Sequence, residues 1–162
     1  QKYLEQYNVP ATVLMSSVPP QGLMGSAYGL MLKKPMLLSD LNRIMMSDEV
    51  DISSLREALF HQPVSESDLK RYYRLSQPES HRAIWDMTLF NLPQPGRMHQ
   101  PPMLILGAEH DMLIPPDQVQ MTAMTYGGEA EIFPDMGHGM MLERDWKQVA
   151  ERIAGWLEEQ EL

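Results

Sequence analysis

The sequence predicts an α/β fold built on a parallel sheet, and three short apolar runs with their punctuation carry that prediction. Met103-Leu104-Ile105-Leu106, closed by Gly107, is a continuous apolar run of the kind found in strands buried on both faces. Ala130-Glu131-Ile132-Phe133 is a second run and ends at Pro134. Ala11-Thr12-Val13-Leu14-Met15 is a third, rich in strand formers and ended by Ser16-Ser17 and Pro19-Pro20. Helical patterns separate the runs, as parallel strands require a crossover between them.

The chain of 162 residues is 43% apolar, enough for a core of one domain. A net charge of −9 and a pI near 4.9 argue against a nucleic-acid partner. No apolar run approaches the ~18 residues that would suggest a membrane span. The absence of cysteine excludes disulfides, thiolate zinc sites and a cysteine nucleophile, and it fits a reducing compartment, with the cytoplasm favoured.

Taken in order, Tyr3, Leu4 and Tyr7 have the spacing of a helix end, with Asn8 as its stop and Pro10 beyond. A helix tail feeding the Ala11–Met15 strand implies an earlier strand, so the chain is expected to open inside a βαβ unit. Residues 1–20 thus form a helix end and a strand. Residues 21–98 form a run of small helices, expected to act as a lid, and residues 99–162 form the remaining core. Within the helical segment, Leu23, Met24, Ala27, Leu30 and Met31 share one face, and Leu37, Leu38, Leu41, Ile44 and Met45 continue it after Pro35. Ser53 is the expected N-cap for a helix carrying Leu55, Ala58 and Leu59. Ser65 with Asp68 opens another carrying Leu69, Tyr72, Tyr73 and Leu75, and Glu79 to Leu89 reads as a further helix. From Glu143 to Glu161 the apolar positions Trp146, Val149, Ala150, Ile153, Ala154 and Leu157 form one helical stripe.

The chemistry-bearing residues lie just past strand ends. Glu109-His110-Asp111 follows the Met103 run, and His138 sits between Gly137 and Gly139 four residues after Pro134. In open α/β sheets such positions meet over the carboxyl edge of the sheet, where sites are built. A histidine accepts a proton near neutral pH without large tuning, and a carboxylate on its other ring nitrogen fixes the tautomer.

These residues resemble the C-terminal half of an α/β-hydrolase. The resemblance is carried by Leu104-Ile105-Leu106-Gly107-Ala108-Glu109-His110-Asp111, by Met136-Gly137-His138-Gly139-Met140-Met141-Leu142-Glu143, and by Ala150 to Leu157. Val13 to Pro20 and Glu79-Ser80-His81-Arg82-Ala83 are similar to the lysophospholipase-like, serine-esterase branch. The resemblance implies three parallel strands of the hydrolase sheet with flanking helices and a helical lid. It also implies Asp111 as triad acid and His138 as general base, in the order Ser, Asp, His. No G-x-S-x-G elbow occurs in the sequence. The nucleophile and the oxyanion-hole loop are expected in an N-terminal half that precedes Gln1, the nucleophile by roughly ten residues or fewer.

Other candidates weigh less. Ser16 and Ser17 are ordinary strand-end serines, Ser26 has the wrong spacing for an elbow, and Ser67 with Asp68 reads as a helix start rather than S-x-x-K. Glu109 and His110 lack companions for a metal site, so neither metal nor cofactor is expected; His61, His81 and His99 read as solvent-facing. The methionines between Met24 and Met46 suit either a helical core or a pocket for varied apolar groups. On the second reading Met24, Met31 and Met140 contact substrate, a small apolar ester. The competing functional reading is a non-catalytic truncated relative that binds a partner chain or a hydrophobic ligand.

Overall fold

The sheet forms as the apolar runs predict. In the computed structural model, which describes residues 1–37, 39, 52–76 and 80–162, β1 (Thr12–Met15), β2 (Met103–Ala108) and β3 (Ala130–Phe133) pair in parallel in the order β1-β2-β3. Thr12 lies opposite Met103, and Ile105 opposite Ala130. The central strand β2 is buried from Leu104 to Ala108.

Strand alternation divides β2 between two layers. Leu104, Leu106 and Ala108 join Met136, Met140, Val149 and Trp156 on one face. Ile105 joins Leu14, Ile114, Val119 and Ala123 on the other. Gly107 does not close the strand, as the sequence suggested, but lies inside it. A Cβ there would come within 2.8 Å of Val119 and 2.9 Å of Ile132, so glycine is needed for the helix carrying Val119 to approach.

Helices cover both faces. The crossover from β2 to β3 holds a helix at Pro116–Thr125, which Pro116 enters at the first turn, where its missing N–H costs nothing. The chain closes on a helix at Trp146–Glu159, shorter and rotated relative to the predicted stripe. Trp146, Ala150 and Ala154 are exposed; Val149, Ile153, Trp156 and Leu157 face the sheet instead. Trp156, absent from the predicted stripe, supplies far more apolar area than the two alanines and sets the phase. On the same helix Arg152 makes a forked ion pair with Glu131 of β3, at 2.8 and 2.6 Å.

The N-terminal segment is a single 3-10 turn, Lys2–Glu5, with Leu4 buried and the Tyr3 and Tyr7 rings stacked at 4.5 Å. Between β1 and β2 lie helices α1 (Met24–Lys33), α2 (Ile52–Leu59), α3 (Glu66–Leu75) and α4 (His81–Trp85), the last running into a π-helical turn through Phe90. The crossover helix is α5 and the closing helix α6. Ser65 caps α3 by accepting the Asp68 amide at 3.0 Å, as expected. Ser53 is not a cap: α2 already starts at Ile52. The helix expected from Glu79 starts after Ser80, whose hydroxyl accepts the Ala83 amide. Of the face expected from Leu37 to Met45, Leu37 is buried; Leu38, Leu41, Ile44 and Met45 lie outside the described residues.

Candidate functional site

Two loops at the carboxyl ends of β2 and β3 bring an acid and a histidine together. Directly after β2 the chain turns tightly, with the Asp111 amide bonded to the Ala108 carbonyl at 3.2 Å. Asp111 Oδ1 then accepts the amides of Leu113 at 2.8 Å and Ile114 at 2.7 Å. This side-chain-to-backbone turn, typical of aspartate, fixes the carboxylate beside His138. Oδ2 lies 2.9 Å from His138 Nδ1, and Oδ1 lies 3.1 Å from the same nitrogen. The Asp111 side chain is fully buried, whereas the imidazole is about a quarter exposed (26%). Nε2 of His138 has no hydrogen-bond partner among the described residues. The pair therefore presents a ring nitrogen to solvent whose tautomer a buried carboxylate fixes.

The His138 loop is held by a residue to which sequence reasoning gave no role. Glu143 is 1% exposed, and its Oε1 accepts the amides of Gly137 at 2.8 Å and His61 at 2.7 Å. Oε2 accepts the Gln62 amide at 3.1 Å. One buried carboxylate thus ties the residue before His138 to the end of α2. The Gly139 amide adds a bond to the Leu59 carbonyl at 2.7 Å. Gly137 permits this approach, because a Cβ there would sit 2.7 Å from the His61 nitrogen. A lone acid after the apolar run Met140-Met141-Leu142 was the only local sign.

A cleft of about 370 Å³ opens beside the acid loop, bounded by Ser26 and Leu30 of α1, Phe60 and His61 after α2, and His110 and Asp111. Met24 and Met31 are exposed on α1 and do not line it. Met140, also expected to contact substrate, is wholly buried in the core, and its sulfur accepts the Ser16 hydroxyl at 3.3 Å. Ser16 adopts a left-handed backbone (φ 42°) at the end of β1, and its hydroxyl points to Met140 rather than to His138. Ser17 instead accepts a bond from the Gln1 side chain at 2.6 Å.

His61 is exposed, as expected, but stands against another candidate. Its ring stacks on that of His110 at 3.7 Å. One ligand-capable atom each from His61, His110 and Asp135 lies within 4.8 Å of the others, a grouping the sequence reading, which expected no metal, could not assemble.

Comparison with known proteins identifies the family and the fold. The model of the alpha/beta hydrolase family matches residues 3–152. No curated protein matches the chain. Among solved structures it is similar to an esterase from Exiguobacterium antarcticum, with a TM-score of 0.65, 17% identity, and coverage of 94% of this chain and 59% of that one. A thermophilic esterase from Thermogutta terrifontis is similar at TM-score 0.54 and 17% identity, over 93% of this chain and 56% of that one. A bromoperoxidase from Bacillus anthracis is similar at TM-score 0.65 and 16% identity, over 96% of this chain and 62% of that one. The chain spans somewhat more than half the length of these neighbours.

Proposed function

Because the chain belongs to the α/β-hydrolase family, we propose that Asp111 and His138 are the acid and general base of an ester-hydrolysing site. The observation that carries this reading is the 2.9 Å contact between Asp111 Oδ2 and His138 Nδ1, with Oδ1 independently tied to two backbone amides.

In this reading Nδ1 carries its proton toward Asp111, and Nε2 is left with the lone pair. Nε2 takes the proton of a serine hydroxyl as that oxygen attacks the ester carbonyl. The imidazolium so formed is stabilised by Asp111 and gives the proton to the departing alcohol oxygen. Water then repeats the sequence on the acyl-enzyme, and the acid is released. No G-x-S-x-G occurs among the 162 residues, so the nucleophile in this proposal comes from a segment outside them. The substrate is an ester of apolar character, in the manner of the lysophospholipase-like branch, and the helices between β1 and β2 act as a lid over the site. The tie from Glu143 to His61 and Gln62 supports a lid whose middle, between α2 and α3, is anchored at the base loop.

A second reading, a non-catalytic chain that binds a partner or a hydrophobic ligand, draws on the outer edge of β1, which pairs with no strand among the described residues. A serine-directed fluorophosphonate probe separates the two. Labelling of the intact protein that carries this sequence, lost in His138→Ala, is the expected result. No labelling of that intact protein rejects the hydrolase reading.

A further inference from the structure

We propose that His61, His110 and Asp135 form a binding site for a divalent transition-metal ion of the zinc class, beside the Asp111–His138 pair and sharing neither of its side chains. The three residues come from three segments: the end of α2, the turn after β2 and the turn after β3. One ligand-capable atom from each lies within 4.8 Å of the other two. Two imidazoles and one carboxylate are a donor set that zinc accepts, with a fourth position left for water.

Backbone and side chains play different parts here. All three backbones are pinned: the His61 amide to Glu143 at 2.7 Å, the His110 amide to the Met136 carbonyl at 2.9 Å, and the Asp135 amide to Glu109 Oε2 at 3.1 Å. Asp135 holds a left-handed φ of 54°, which aspartate tolerates better than most residues. The three side chains, by contrast, are exposed. Bonds of about 2.1 Å to a tetrahedral ion place ligand atoms about 3.4 Å apart, so side-chain rotation has at most about 1.4 Å to close from the 4.8 Å bound. The stacked rings, 3.7 Å apart and 20° from parallel, must slide and tilt to share one ion. Glu109, 3.7 Å from His110 Nε2, adds a carboxylate beside the site. The net charge of −9 favours a cation over an anion.

The site is tested by calorimetric titration of the intact protein that carries this chain with zinc chloride at pH 7.5, in a buffer that does not chelate. His61→Ala, His110→Ala and a control, His99→Ala, are compared with the parent, and thermal unfolding without zinc verifies that each variant is folded. The expected result is stoichiometric binding that each of the first two variants weakens at least tenfold, since losing even an outer partner of a metal ligand costs that much. His99→Ala keeps the parent's affinity. Absence of zinc uptake by the parent, or parent-like affinity in either of the first two variants, overturns the proposal.

Discussion

Glu143 accepts the Gly137 amide at 2.8 Å and, on the same oxygen, the His61 amide at 2.7 Å. A carboxylate with almost no exposure is thereby satisfied entirely by backbone donors from two loops far apart in sequence, with the Gln62 amide as a third. Such a group is costly to remove, because each donor left buried and unpaired loses its water without a replacement.

Glu143→Ala is therefore expected to lower the free energy of unfolding by roughly 2–4 kcal/mol. Glu143→Gln, which keeps one acceptor oxygen but turns an amide toward a donor, should cost less. Urea denaturation of the intact protein measures both. A loss under about 1 kcal/mol for the alanine variant would show that the clamp is not holding the loops.

Two glycines should respond oppositely to alanine. At Gly137 the added Cβ meets backbone atoms, His61 N at 2.7 Å and Leu59 O at 2.9 Å, and neither can turn aside. Overpacking of this kind costs about 1–3 kcal/mol and should part the end of α2 from the His138 loop. Gly155 lies within α6 with nothing within 4 Å of its Cβ position. There alanine should add about 0.5–1 kcal/mol of helix stability. Thermal unfolding of the two variants reads the contrast directly, and equal shifts would contradict it.

The strands and the acid–histidine pairing were legible because each depends on short-range pattern. A short apolar run marks each strand of the parallel sheet, even where its glycine lies inside the strand rather than at its end, and Asp111 and His138 announce themselves by standing just past such runs. Glu143 was not legible, since its partners His61 and Gln62 lie some eighty residues earlier and only the tertiary fold brings them near. The phase of α6 was misjudged because counting alanines as equal to Trp156 ignores how much surface each buries. Ser53 failed as a cap because it already lies within α2, a boundary error of the kind local signals leave open. Met140 shows a further limit: an apolar letter beside a candidate histidine does not tell core from pocket, and this one is core.

Tyr126 makes the stability of the fold depend on pH in the alkaline range. Burial, aided by the negative charge of Glu5, pushes its phenol from 10 up to about 12, and its hydroxyl donates to the Gln1 side chain at 2.8 Å. A raised folded-state value means that the folded chain holds the proton more tightly than the unfolded one. The resulting stability is complete below pH 10 and is lost as pH rises toward 12. The difference in unfolding free energy between parent and Tyr126→Phe should shrink across that interval. A difference that stays constant would contradict the assignment.

The acid–base pair is tested most directly by the turnover of a p-nitrophenyl ester by the intact protein, comparing the parent with Asp111→Asn at neutral pH. Asparagine preserves the shape of the side chain but offers no carboxylate to fix the His138 tautomer or to stabilise its imidazolium. With the carboxylate gone, kcat is expected to fall about 10⁴-fold with little change in KM. A variant that retains turnover within about tenfold of the parent would contradict Asp111 as the partner of a catalytic His138.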